Sequence, residues 1–93
     1  MITCLLTLQI SVFDAMTLKD KRSVVKSLKD RISNKYNVSI AEVGDNDKIR
    51  SSLIGIAMVA NDSRFVQQSL DKIVEFVRKQ TNLALIDFYI ETV

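Results

Sequence analysis

The hydrophobic period of this chain changes from two residues to about 3.6 residues, twice in succession, within a length of 93 residues. Residues 2–13 alternate between apolar and polar side chains, which is typical of a half-buried strand. Residues 18–35 then repeat apolar side chains at helical spacing, and Thr17 and Asp20 are placed for a capping box in front of them. The first third of the chain therefore predicts a strand followed by an amphipathic helix.

The rest of the chain predicts a second helix and three further strands. Residues 37–43 and 52–60 predict strands on either side of a turn-rich segment at 44–47. Residues 61–63 offer N-cap side chains for a second amphipathic helix, and residues 83–93 predict a final strand. Right-handed crossovers then favour an α+β, ferredoxin-like β-α-β-β-α-β sandwich. We expect a four-stranded antiparallel sheet with two helices on one face, and with the first and third strands at its centre.

The inward side chains of these elements predict one hydrophobic core. Eleven residues are expected in it: Leu6, Leu8, Val25, Leu28, Ile32, Ile56, Val66, Leu70, Ile73, Val77 and Phe88. In the last strand, alternation places Ile86, Phe88 and Ile90 inward. Because the chain has no proline and only two glycines, no segment has the composition of a linker, and residues 1–93 are predicted to form a single domain.

Composition predicts a small soluble protein and no obvious chemistry. The chain has 47% hydrophobic and 26% charged residues, and no apolar run approaches the ~20 residues of a membrane-spanning helix. The first residues lack the features of a signal peptide, so we expect a cytoplasmic protein that does not bind membranes. There is no histidine, and Cys4 has no partner for a thiolate site or a disulfide. We therefore predict no catalytic residues, no metal, no cofactor and no enzymatic activity.

Positive charge is concentrated in the first helix. Residues 17–36 have a net charge of +5, whereas the other 73 residues together have −3. Four of these cations are spaced three, four and three residues apart, within an arc of about 80° that contains no Asp or Glu. They are Lys19, Arg22, Lys26 and Lys29. We interpret this flank as a candidate site for RNA phosphates, the alternative being a solvated helix face that keeps the protein soluble. Lys21 projects toward the core side of the helix, where its aliphatic stem can be buried while its ammonium group reaches solvent.

The outward side chains of the sheet predict a second candidate surface. Six residues of this parity can form an apolar patch: Leu5, Leu53, Ala57, Val59, Leu85 and Tyr89. An apolar patch of several hundred Å² on a monomer usually marks an interface, so the alternative function is a protein-interaction or homodimerising module. Scattered apolar surface residues are the simpler explanation.

Several segments resemble the bacterial YlxP family of small uncharacterised proteins. They are TLKDKR (17–22), NVSIAEV (37–43) and VAND (59–62), and the similarity extends over essentially the whole chain. The resemblance implies a ferredoxin-like fold. It also implies a link to RNA or the ribosome, because genes of this family often lie among those for transcription, translation initiation and ribosome maturation. It supplies no catalytic residues.

Overall fold

Four strands and two helices follow one another in the order β-α-β-β-α-β in the computed structural model of the chain, which describes residues 1–93. The elements are β1 (Ile2–Ser11), α1 (Leu18–Lys35), β2 (Ser39–Gly44), β3 (Ser51–Ala60), α2 (Ser63–Arg78) and β4 (Ala84–Thr92). Neither helix is both long and apolar enough to cross a membrane.

The strands form one antiparallel sheet in the order β2-β3-β1-β4. The two central strands pair along their whole length, from Ile2 opposite Ala60 to Ser11 opposite Ser51. Both helices pack on the same face, because their buried side chains and those of the strands belong to one core cluster. The ferredoxin-like fold and the central position of β1 and β3 are thus confirmed.

Local capping defines where both helices begin. The Thr17 hydroxyl accepts a hydrogen bond from the backbone N–H of Asp20 at 3.1 Å, and the Asp20 carboxylate accepts one from the backbone N–H of Thr17 at 3.2 Å. This reciprocal pair is the capping box that the sequence predicted. At the second helix, the Asp62 carboxylate accepts from the backbone N–H of Arg64 at 2.9 Å.

The core lies between the two helices and the sheet. Ten of the eleven predicted core residues are buried, and the eleventh, Phe88, is half-buried and packs against them. The side chains of Leu6, Leu8 and Ile10 on β1 and of Ile32 on α1 are completely inaccessible to solvent. The period of the hydrophobic pattern therefore identified the buried face of each helix and of the central strands.

A bulge in β4 reverses two predicted side-chain directions. Gln9 pairs with Asp87 but the next residue, Ile10, pairs with Leu85, so Ile86 has no partner on β1. One extra residue in a strand shifts the side-chain alternation on one side of it to the opposite face. Leu85 consequently packs against the core, and Ile86 is exposed. The predictions that Ile86 points inward and that Leu85 belongs to the outer surface were both wrong.

Candidate functional site

The cations of α1 surround a depression beside the edge of the sheet. α1 buries Val25, Leu28 and Ile32 against the core, which leaves the predicted cationic flank facing outward. A depression of about 370 Å³ lies along this flank. We call it the basic depression; it is lined by Arg22, Val25, Lys26, Lys29, Asp30 and Glu42. The structure thus brings together three of the four predicted cations, and Lys19 lies further along the same helix, outside the depression.

One of the cations is already paired. The Lys26 ammonium donates to the Asp30 carboxylate at 2.8 Å, one helical turn away. That hydrogen bond, and then the charge of Asp30, raise the pKa of Lys26. The arc of the four cations contains no acidic residue, as the sequence indicated, but a carboxylate from outside the arc pairs with one of them. Asp30 lies just outside the arc of the four cations, but (i, i+4) side chains are long enough to meet.

The other three cations of the flank have no partner. Lys19, Arg22 and Lys29 form no ion pair or side-chain hydrogen bond within the chain; Lys19 and Arg22 are exposed, and Lys29 is half-buried. On the opposite flank of α1, by contrast, Arg31 donates to Gln80 at 2.6 Å and stacks over Phe76. Lys35 on that flank lies 5.6 Å from the centroid of the same Phe76 ring, and neither Arg31 nor Lys35 has an ion pair. The two flanks therefore differ in that the cations opposite contact aromatic side chains, whereas Lys19, Arg22 and Lys29 have no such contact.

Lys21 projects toward the core side of α1, as the sequence predicted, but its ammonium group does not reach solvent. Its side chain has no solvent exposure, so the ammonium group is buried together with its stem. The ammonium donates to the backbone carbonyls of Asp45, Asn46 and Ser51 at 2.7, 3.2 and 3.2 Å. It also pairs with the Glu42 carboxylate at 3.1 Å. Four acceptors replace water around this charge, so Lys21 joins α1 to the connection between β2 and β3.

Glu42 completes this buried polar cluster. Its register opposite the buried Ile54 directs the side chain to the core side of β2, and only 15% of it is exposed. Its oxygen Oε2 pairs with the Lys21 ammonium and also accepts a hydrogen bond from the Ser52 hydroxyl at 2.5 Å. Glu42 was not predicted as part of a site, although the sequence contains a signal for it. Val38, Ile40 and Glu42 share the inward parity of β2, and an inward carboxylate requires a cation nearby.

The turn after β2 is held in a strained backbone conformation. Asp45 has a φ of 57°, in the left-handed region that residues other than glycine seldom adopt. The Ser51 hydroxyl donates to its carboxylate at 2.7 Å, and Lys48 pairs with the same carboxylate at 3.4 Å. The hydrogen bond from Ser51 is the largest cause of a lowered pKa of Asp45. Backbone and side-chain contacts to Lys21 and Ser51 together stabilise this turn.

The face of the sheet opposite the helices remains uncovered. Five of the six predicted interface residues lie there: Leu5, Val59 and Tyr89 are exposed, and Leu53 and Ala57 are half-buried. We call this surface the outer sheet face. The sixth residue, Leu85, packs against the core as described above.

A shallow trough of about 340 Å³ crosses the outer sheet face. Its lining includes Gly55, Ala41 and Ala57, beside Leu5 and Val43. A Cβ atom added to Gly55 would lie 2.9 Å from Cγ1 of Val43, so the glycine is what keeps the trough open at that point.

A third depression, of about 540 Å³, lies between the C-terminal halves of the two helices. It brings Lys35, Lys72 and Lys79 together with Asp71 and Glu75, so its charges largely offset one another. No group of three or more His, Cys, Asp or Glu side chains is arranged to hold a metal ion.

Two comparisons with known proteins agree with each other. The sequence model of a family described as "Protein of unknown function (DUF503)" matches residues 3–90. The chain is also similar to the "Uncharacterized protein YlxP" of Bacillus subtilis (strain 168), with 36% identity over 66 residues. That alignment covers 71% of this chain and 72% of the Bacillus protein. The resemblance to the YlxP family is thereby confirmed.

Proposed function

The chain belongs to the DUF503 family, and from its unpaired surface charge we propose that it is a non-enzymatic, cytoplasmic protein that binds structured RNA, including ribosomal RNA. The observation on which this proposal depends is the cationic flank of α1. Three cations there, Lys19, Arg22 and Lys29, have no partner within the chain. The link to RNA or the ribosome that the family resemblance implies points in the same direction.

The chemistry of this flank favours contacts with phosphates. Lys19 and Lys29 are ten residues apart on the helix, a distance of about 15 Å, which extends over several phosphates of one strand. No aromatic side chain lines the basic depression, so bases have no surface on which to stack. Arg22 can hold one phosphate through two parallel hydrogen bonds. We therefore expect binding that depends on the RNA backbone and its shape and that does not depend on base sequence.

A pair of triple variants with equal charge tests the proposal. The first replaces Lys19, Arg22 and Lys29 with glutamine. The second replaces three cations associated with α2 that also lack an ion pair: Arg64, Lys72 and Lys79. Both variants lose three positive charges, and both should keep the wild-type urea midpoint because surface substitutions seldom affect stability. Any difference in RNA binding between them therefore reflects position and not net charge.

The expected result is a change in the salt dependence of binding to an RNA hairpin and to ribosomal subunits. Each engaged cation contributes about 0.7–0.9 to the slope of log affinity against log salt, so the wild-type slope should have a magnitude of about 2–3. The α1 variant should lose most of this slope, and the α2 variant should keep most of it. Equal binding by all three proteins across the salt series would refute the proposal.

Asp30 provides a test in the opposite direction. Because its carboxylate pairs with Lys26 at 2.8 Å, Asp30→Asn should release a fourth cation for phosphate. We expect tighter RNA binding and a salt slope larger by about 0.7–0.9. The matched control is Asp71→Asn. The Asp71 carboxylate accepts a hydrogen bond from the side-chain amide of Gln67 on α2 and pairs with no cation. An equal gain in both variants would indicate that only the net charge matters.

We propose homodimerisation through the outer sheet face as a second candidate function. The trough over Gly55 and the exposed side chains of Leu5, Val59 and Tyr89 support it, because an apolar face without a cover usually marks an interface. Sedimentation of the wild type should then report a dimer. Leu5→Lys or Tyr89→Lys should yield a folded monomer, since a buried unpaired charge disrupts an apolar contact. A wild type that stays monomeric at high concentration would rule this function out.

A further inference from the structure

The basic depression contains a carboxylate that a site for phosphate alone does not need. Glu42 lines it together with Arg22, Lys26 and Lys29, and its only ion pair is with Lys21 beneath the helix. A carboxylate at the base of an anion site repels a bare phosphate, although the charge of Lys21 offsets part of that repulsion. The combination instead suits a ligand that presents a hydrogen-bond donor next to its phosphates.

The geometry leaves one oxygen of Glu42 available to such a donor. Both the Lys21 ammonium and the Ser52 hydroxyl bind Oε2, at 3.1 and 2.5 Å, and no group of the protein binds Oε1. No buried polar side-chain atom of the chain lacks a hydrogen-bond partner, so Oε1 must reach solvent. Because two buried groups hold the other oxygen, the acceptor is fixed in direction before any ligand arrives.

We propose that Glu42 accepts a hydrogen bond from a ribose 2′-hydroxyl of the bound RNA, so that the basic depression selects RNA over DNA. The inference rests on the proposed function, since Arg22 and Lys29 must first hold the flanking phosphates. In RNA each ribose places a hydroxyl donor beside the phosphates, and this hydroxyl is the group by which a protein distinguishes RNA from DNA. DNA would bring the same phosphates to the depression and leave the carboxylate unsatisfied.

The test compares three hairpins of the same sequence on wild-type protein: RNA, 2′-fluoro RNA and DNA. The 2′-fluoro hairpin keeps the phosphates and an RNA-like helix, and it lacks only the hydroxyl donor. Because a hydrogen bond to a charged group is among the stronger ones, we expect the 2′-fluoro hairpin to bind about tenfold more weakly than RNA. Affinity is measured by fluorescence anisotropy at fixed salt, since salt alone changes these values.

The Glu42→Gln variant checks which residue is responsible. Lys21 and Ser52 both donate toward this side chain, so the glutamine should direct its oxygen to them and its NH₂ group into the depression. An acceptor is thereby replaced by a donor, and the variant should lose the preference for RNA over 2′-fluoro RNA. Asp30→Asn is the matched control, because it removes the other carboxylate of the depression and should change affinity for all three hairpins by the same factor. Urea denaturation shows whether each variant is folded, and if Glu42→Gln is not, the wild-type comparison decides.

The outcomes separate this inference from the proposed function. A loss of affinity for 2′-fluoro RNA that disappears in Glu42→Gln supports it. Equal binding of RNA and 2′-fluoro RNA, with binding still dependent on Lys19, Arg22 and Lys29, overturns the role of Glu42 and leaves the proposed function intact. RNA binding that does not depend on these cations overturns both.

Discussion

Replacing Lys21 with methionine tests how much the buried polar cluster contributes to folding. Methionine has a similar length and no charge, so the variant keeps most of the packing and removes the donors. The substitution leaves three backbone carbonyls without the ammonium and leaves Glu42, whose side chain is 15% exposed, without its counterion. Breaking a buried ion pair costs about 3–5 kcal/mol. Because Glu42 retains the Ser52 hydroxyl, we expect a loss near the lower end, about 3 kcal/mol.

Urea denaturation measures this loss directly. With a slope of about 1–1.5 kcal/mol per M, a loss of about 3 kcal/mol lowers the midpoint by about 2–3 M. The matched control is Lys26→Met in the same helix. The Lys26–Asp30 contact is shorter, at 2.8 Å against 3.1 Å, but its two side chains are 76% and 57% exposed. The control should leave the midpoint unchanged, because water replaces an exposed partner at little cost.

A double variant isolates the interaction between the two charges. Lys21→Met with Glu42→Gln removes both charges, so neither remains buried without a partner. We expect the double variant to be less destabilised than the sum of the two single variants, by at least about 1 kcal/mol. Additive effects, or a Lys21→Met variant no less stable than Lys26→Met, would refute the reasoning that burial determines the contribution of this ion pair.

Three further predictions follow from packing, register and protonation. Leu28→Ala should cost about 2–5 kcal/mol in urea melts, because the side chain is 2% exposed, and a wild-type midpoint would mean that α1 buries another face. Leu85→Ala should lower the free energy of unfolding by about 1–2 kcal/mol and Ile86→Ala by less than about 0.5 kcal/mol, whereas strict alternation predicts the larger loss at Ile86. A larger loss for Ile86→Ala than for Leu85→Ala would contradict the bulge. Asp45 has a lowered pKa, so its contribution to stability is present above the unfolded pKa and is lost as pH falls through the folded pKa. Ser51→Ala should raise the pKa of Asp45 in an NMR titration and reduce the loss of stability at acid pH. An unchanged pKa would exclude the hydrogen bond from Ser51 as the main cause of the shift.

The candidate site was predictable in part. The four cations of α1 share one flank because helical geometry places residues three and four apart side by side, and that geometry needs no knowledge of the rest of the fold. The structure then distinguishes among them: Lys26 pairs with Asp30, and Lys29 is half-buried. The Lys26–Asp30 contact is local and was also accessible from the sequence, provided that side-chain reach is considered along with angular position. Glu42 enters the site from a different element, so no local pattern on α1 indicates it.

The order of the elements, the helix starts and the buried faces could be predicted from the amino-acid sequence, because each depends on contacts within a few residues or on a repeating period. Thr17 and Asp20 cap α1 through groups three residues apart, and Leu28 is buried because it follows the 3.6-residue period. The bulge at Ile86 and the burial of the Lys21 ammonium, in contrast, depend on contacts between elements that are distant in the chain. The bulge depends on how β4 pairs with β1, more than seventy residues away in the chain, and alternation within β4 alone does not reveal an unpaired residue. Lys21 is buried as a charge only because β2, the following turn and the first residue of β3 supply acceptors 21 to 30 residues further along.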